Sequence, residues 1–448
     1  MTLRLSPDAI VSHSESPLLG IAPWWRRCRL GDVAEITNGA AFKSAQFNTE
    51  GIGLPLIRIR DVGQSEASTY YSGHYETRHL VECGDLLIGM DGDFRIARWS
   101  STQSLLNQRV CRLRVQDPDC YSDKFLEHVV QPYLDEIHKV TSAVTVKHLS
   151  SRTVGELPIP LPPRLEQERI AAAIEEHFSR LDAAEATLRQ SLTRLDALRS
   201  CILTDAFHTR HDLPPTWHWS MIGEVAEVKG GIQKQPKRKP NKNPAPFLRV
   251  ANVLRGELLL DEIHEIELFD GELERYRIRH GDLLVVEGNG SPAQIGRAAS
   301  WSDQIANCVH QNHLIRVSPG PNLSPRFLSL YWNAPHTASL LREVASSTSG
   351  LYTLSTRKIK SIPIPLAPLA EQERIAARVD GQLDKQDRLR ESIRYALDRV
   401  RSLRRSVLAT AFSGRLVPQD PDDEPASVLL ERVAASRPAK PARGRARA

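Results

Sequence analysis

One segment of this chain occurs twice, and that repetition limits the possible folds more than any other feature. Residues 158–172 read PIPLPPRLEQERIAA, and residues 363–377 read PIPLAPLAEQERIAA. Just upstream, Leu149-Ser150-x-Arg152 matches Leu354-Ser355-x-Arg357. Further out, Gly84-Asp85-Leu86-Leu87 matches Gly281-Asp282-Leu283-Leu284, and Gly31–Glu35 resembles Gly223–Glu227. Each half opens on a tryptophan pair, Trp24/Trp25 and Trp217/Trp219. The order is the same in both halves, and the offset drifts only from 192 to 205. At 448 residues the chain is too long for one core. The repeat divides it into two copies of a globular module, each followed by a helix. Between the anchors, residues 38–75 show no visible alignment with 230–276, nor 90–145 with 288–348. Framework is repeated and content is not.

After each PIPL the pattern turns helical. Pro162-Pro163 stops the preceding structure, and Glu166 and Glu168 place acids in a first turn. Ile174, Leu181, Leu188, Leu195 and Ile202 then recur every seven residues. Val379, Ile393, Val400 and Val407 repeat that seam in the second half, interrupted by Gln386. Each helix should run about 44 residues, or about 66 Å. A seam so narrow on a helix so long calls for a partner helix, although a core helix of an ordinary α domain is the plainer alternative. Two copies on one chain favour pairing with each other. A pseudo-twofold relation between the halves makes that pairing antiparallel, with the modules at opposite ends of the rod.

The modules, 24–157 and 213–362, show short β-like runs at Leu56–Arg60, Leu86–Ile88, Val110–Val115, Phe247–Val250, Leu283–Val286 and His313–Val317. Helical stretches at Ser122–His138 and Ser324–Glu343 complete an α+β reading. The expected fold class is therefore α+β. Two globular α/β modules are joined by two long antiparallel coiled-coil helices, 163–210 and 368–415, in a pseudo-twofold internal duplication. Residues 418–448 read as an acidic-then-basic flexible tail.

The chain carries few signs of catalytic chemistry. It has no GxxxxGK[ST] loop and no HExxH, and Gly288-Asn289-Gly290 is too short for a dinucleotide fingerprint. The histidines His74, His79, His208 and His211 lack neighbours at ligand spacing, so no metal site is expected. Asp91 and Asp93 fit turn chemistry. Six scattered cysteines form no CxxC pair and read as reduced and mostly buried. No catalytic residue and no cofactor of its own is expected. The longest apolar runs are too short to span a bilayer and the first residues lack a signal-peptide pattern, which points to the cytoplasm.

Net charge is +5, and the cations Arg437, Lys440, Arg443, Arg445 and Arg447 account for it, leaving a nearly neutral body. Any nucleic-acid surface must therefore come from local clusters. The clearest is the acid-free run Gln233–Lys242, with Lys234, Lys237, Arg238, Lys239 and Lys242 interleaved with prolines. It suits phosphate contact, or else is a solvated loop. In the first module Lys43, Arg58, Arg60, Arg95, Arg98 and Arg109 are more dispersed. Lys147 and Arg152, and in the second half Gln294, Arg357 and Lys358, lie in polar segments able to donate to phosphates and base edges, or in plain loop.

A variable module, PIPLPP-xx-EQERIA and a long helix, followed by the same again, resembles the specificity subunits of type I restriction–modification enzymes. The likeness spans roughly residues 24–417. It implies that each module is a target-recognition domain for one half of a bipartite double-stranded DNA sequence. The helices would set the spacing. Two methyltransferase subunits carrying S-adenosylmethionine, and restriction/translocase subunits, would dock on the chain, which itself catalyses nothing. Related modules also occur fused to methyltransferases. The basic tail departs from the family pattern and has no assigned role. A protein-interaction scaffold and a self-sufficient DNA-modifying enzyme are the competing readings.

Overall fold

The computed structural model describes residues 5–141, 149–207, 213–289, 291, 294–345 and 352–435. The chain forms two compact units, Met1–Ala186 with Leu397–Ala448, and Thr187–Ala396. The long helices Arg164–Asp205 and Leu369–Phe412 each contribute to both.

In the first unit, PIPL is the strand Pro158–Leu161, paired antiparallel with Arg26–Arg29 in register Arg26↔Leu161 to Arg29↔Pro158. Proline lacks an N–H, so two prolines at alternate positions are tolerated where their edge makes no ladder. The carbonyls on that edge take side-chain donors instead. Arg27 Nη1 donates to Pro158 O at 2.7 Å and the Tyr121 hydroxyl to Pro160 O at 3.0 Å. The second unit pairs Pro363–Leu366 with His218–Met221, and the Tyr331 hydroxyl donates to Pro363 O at 2.7 Å.

Each unit then builds an antiparallel four-stranded sheet in the same order. It runs Ala34–Asn38, Val110–Val115, Leu86–Gly89, Ile96–Arg98 in the first, and Ala226–Gly230, Leu314–Pro319, Leu283–Val286, Ala298–Ser300 in the second. A second, mixed sheet differs between them. The first unit has five short strands, with Leu54–Ile57 parallel to Ser104–Leu106. The second has three, with Pro244–Leu248 between His264–Glu267 and Val309–His310. The predicted helical stretches are present as Asp123–Thr141 and as Pro325–Trp332 followed by Pro335–Ala345. Pro335, which cannot donate into a continuing helix, opens the second piece.

Registers carry the repeat into segments where the sequences do not align. Leu86↔Arg98 and Leu283↔Ser300 make Trp99 and Trp301 equivalent, and both are buried. Their N–H groups donate to Asp85 O and Asp282 O, each at 2.8 Å. Gly39 and Gly231 are equivalent too. A Cβ there would lie 2.0 Å from Asn107 O and 2.2 Å from His310 O respectively, so only glycine fits.

The repeated Glu-Gln pair explains why the helix entry is so constant. Trp25 Nε1 donates to Glu166 Oε2 and Trp217 Nε1 to Glu371 Oε2, each at 3.0 Å. Gln167 accepts from the Ser122 N–H (2.8 Å) and donates to Cys120 O (3.3 Å) and Pro162 O (2.9 Å). Gln372 accepts from the Ser324 N–H (2.9 Å) and donates to Asn322 O (2.9 Å) and Ala367 O (2.7 Å). Both amides are fully buried. Each helix is thereby bolted to its own module.

The helices pair within each unit. In the second, Arg390–Asp196 (2.5 Å) and Arg199–Asp387 (3.4 Å) rise along one helix as they fall along the other, so the pairing is antiparallel. In the first, Arg404 contacts Asp182 and Glu185 and covers the Phe178 ring at 5.4 Å. Leu181, Leu188, Leu195, Ile202, Ile393 and Val407 are half-buried, and Val400 is buried. Ile174 and Val379 are buried in the module cores. The interrupting Gln386 is buried as well, and neither its Nε2 nor its Oε1 has a partner among the described residues. Leaving a polar group so buried costs about 1–3 kcal/mol. The Gln386→Leu variant should therefore be more stable by about that amount in urea unfolding. A lower midpoint would show that the amide is satisfied in solution.

The tail differs from expectation over its first part. Ala426–Ala435 is a helix, with Leu429 and Val433 in the first unit's core. Arg169 holds the buried Asp423 carboxylate with both terminal nitrogens, one at 3.1 Å and one at 2.5 Å. The apolar spacing of Val428, Leu429 and Val433 suits a docked helix, which the acid-then-base reading of the tail overlooked. The tail cations from Arg437 onward lie outside the described residues.

Candidate nucleic-acid interface

In each module three segments meet at one hydrogen-bonded corner. In the first, the Met90 N–H donates to Arg109 O (2.8 Å) and the Leu149 N–H to Met90 O (2.7 Å). In the second, the Glu287 N–H donates to His313 O (2.9 Å) and the Leu354 N–H to Glu287 O (2.7 Å). The corner thus joins the strand end, the turn bearing Arg109 or His313, and the short helix bearing Arg152 or Arg357. Arg109 pairs with Asp91 at 2.5 Å, and His313 with Glu287 at 2.9 Å. Asp91, read as turn chemistry, is thus also an ion-pair partner. Arg152 is exposed and bonds Glu156 at 3.0 Å, whereas Arg357 is exposed and Lys358 donates to Thr353 O at 3.2 Å. Gln294 is exposed in the adjoining turn. Lys147 lies outside the described residues.

The other first-module cations divide. The Arg95 guanidinium lies over Gly63, where an added Cβ would come within 2.8 Å of its Cζ. This brings Arg95 beside the turn that carries Arg60, whose side chain donates to Ser68 (3.2 Å) and Thr69 (3.1 Å). Lys43 is exposed one residue before the turn Ser44–Gln46. Arg98 is committed to Glu127 and Asp123 on the following helix.

In the second module the basic run is an ordered loop. The Glu267 carboxylate accepts the backbone N–H groups of Asn241 (2.7 Å), Lys242 (3.0 Å) and Asn243 (2.8 Å). Burial pushes that carboxyl up, but the three N–H donors outweigh it and hold it below the usual carboxylate range. Arg238 forks onto Glu272 at 2.7 and 2.8 Å and stacks 4.7 Å from the Phe269 ring centre. Its side chain is largely buried and serves to anchor the loop. Lys234, Lys237, Lys239 and Lys242 are exposed around it. The turn Pro236–Arg238 occupies the place of Ser44–Gln46 in the first module, where Tyr71 donates to Gln46 at 2.8 Å.

Sequence reading missed another cluster. Arg255 has its pKa lowered by burial and by the like charges of Arg342 and Arg297. These three arginines are far apart in the chain, so no local run marks them. His310, buried where the first module has Leu106, is held neutral by burial with its pKa pushed down to about 4. Four cysteines are buried, and burial pushes the Cys111 and Cys308 thiols up to about 12. Among the described residues no group of His, Cys, Asp and Glu is arranged to hold a metal, and no helix is long and apolar enough to cross a membrane.

Two units with one frame, differently furnished and each presenting cations at loops, define a paired recognition protein. The chain belongs to the type I restriction–modification DNA specificity family, whose model, the type I restriction modification DNA specificity domain, matches residues 24–194 and again 214–398. It is 33% identical over 473 residues to the type I restriction enzyme EcoBI specificity subunit of Escherichia coli, covering 98% of each chain. It is 26% identical to the EcoKI specificity subunit of Escherichia coli strain K12, over 70% of this chain and 72% of that one. A solved chain described under complex assembly and conformational transition of the type I R-M system has a TM-score of 0.68 at 22% identity. That match covers 88% of this chain and 99% of that chain, and it bears on the fold. The protein is thus a type I specificity subunit with two recognition domains. Its partners are DNA and the other subunits of the system, in which the enzymatic activities reside.

Proposed function

We propose that the chain reads an asymmetric, bipartite DNA target, one half-site through each of the modules 24–157 and 213–362. The observation that carries this is a common frame with unlike content. Gly39 and Gly231, Trp99 and Trp301, and Gln167 and Gln372 hold equivalent places. Yet where the first module has Ser44–Gln46 the second has Pro236–Arg238, and where the first has Arg109 the second has His313. Unlike contact residues on a like frame read unlike bases. The exposed cations Lys43, Arg60, Arg95, Arg152, Lys234, Lys237, Lys239, Lys242 and Arg357 supply phosphate and base contacts, and the paired helices set the gap between half-sites. Two methyltransferase subunits carrying S-adenosylmethionine and the restriction/translocase subunits dock on this frame, in the cytoplasm where the target DNA lies.

Methylation mapping of the host genome with and without this gene tests the reading. The expected result is one non-palindromic motif of two unlike halves that loses methylation on deletion. If no bipartite motif changes, or if the two halves prove identical, the proposal fails.

A further inference from the structure

The second module holds a groove of about 920 Å³ between the basic loop and the strand His264–Glu267. That strand lies at the edge of its sheet. Phe247 and Ile266 line the groove, as do Lys234 and Lys239 from the loop and Glu265 from the strand. The loop wall is pre-formed, because Glu267 and Glu272 fix its backbone and Arg238. Among the described residues neither lysine is ion-paired with Glu265, although all three line one groove.

A carboxylate here is costly for simple DNA binding. It repels the phosphates that the lysines attract. That cost is offset when it meets a base-edge donor, and the major-groove donor usually paired with a carboxylate is the cytosine N4 amino group, since the other amino donor, adenine N6, has the N7 acceptor beside it.

Resting on the reading of this module as a DNA-recognition domain, we propose that Glu265 is a specificity-determining residue that accepts a hydrogen bond from a cytosine N4 in the second module's half-site, with Lys234 and Lys239 on the flanking phosphates.

The experiment uses the chain assembled with its methyltransferase partners. Methylation is measured on synthetic duplexes in which each position of both half-sites is varied in turn. Glu265→Ala should cut discrimination at one base pair by about 5- to 150-fold. The other positions, including the half-site read by the first module, should keep theirs. Glu265→Gln should move preference at that position from cytosine towards adenine, whose N6/N7 edge matches an amide. Lys239→Ala should weaken binding alike for every duplex and reduce the slope of log affinity against log salt by about one. Glu265 is exposed, so these changes leave the fold intact, and the unaltered first half-site reports on that within the same assay. Unchanged discrimination at every position with Glu265→Ala, or uniform loss across all duplexes, overturns the inference. A wild-type complex that methylates no bipartite motif instead overturns the underlying reading of the modules.

Discussion

Lengthening both long helices by one heptad moves the two half-sites apart by about three base pairs and leaves their identities unchanged. The insertions go between Glu185 and Asp196 in the first helix and between Arg390 and Arg404 in the second. Both points lie between the interhelical pairs Arg404–Glu185 and Arg390–Asp196, so each pair survives on its own side. Seven residues at about 1.5 Å each add about 10 Å, and duplex DNA rises about 3.4 Å per base pair. A whole heptad preserves the phase of the half-buried seam at Leu181, Leu188 and Leu195. Methylation sequencing of cells carrying the lengthened subunit should show the original motif lost and a motif with the same halves and a longer gap gained. A heptad added to one helix alone throws Arg390 and Arg404 out of step with their partners and should abolish methylation. An unchanged gap, or altered half-sites, would falsify the view that the helices act as a ruler.

Replacing Gln167 or Gln372 with alanine should be the most destabilising single change outside the apolar cores. Each amide makes three hydrogen bonds from a fully buried position. Truncation orphans one N–H and two carbonyls, at about 1–3 kcal/mol for each buried group left unsatisfied. With partial relaxation, about 3 kcal/mol is expected, or a fall in Tm of about 6–12 °C for a unit of this size. Glu in place of Gln keeps the acceptor for the Ser122 or Ser324 N–H but sets a charge against two carbonyls, so it should rescue little. Scanning calorimetry of the intact chain is the measurement, and a shift under about 2 °C would show that these amides do not bolt the helix to its module.

How much was legible beforehand depended on whether a feature was local in the chain. The duplication, the long helices and the strands Val110–Val115 and Leu283–Val286 follow from short-range patterns, and the structure shows each. The common frame inside 38–75 and 90–145 was invisible, because Gly39 and Trp99 are defined by what they approach across a sheet. The docked helix Ala426–Ala435 was masked by the charged residues around it. Arg238 was read as one more cation of a basic run, since its partner Glu272 lies 34 residues further on.

The sequence by itself determined that the protein is a repeat, where the helices begin, and that the two modules share a framework but not their content. Those properties are written in periodicity and in the identity of neighbouring residues. Only the tertiary structure decided which cations of the basic loop are available and which are anchors. It also set the helix register, and it placed Glu265 in the same groove as Lys234 and Lys239. The physical reason is that ion pairs, close backbone approaches and grooves join residues distant in the chain. Their energies depend on distance and burial, which no local pattern encodes.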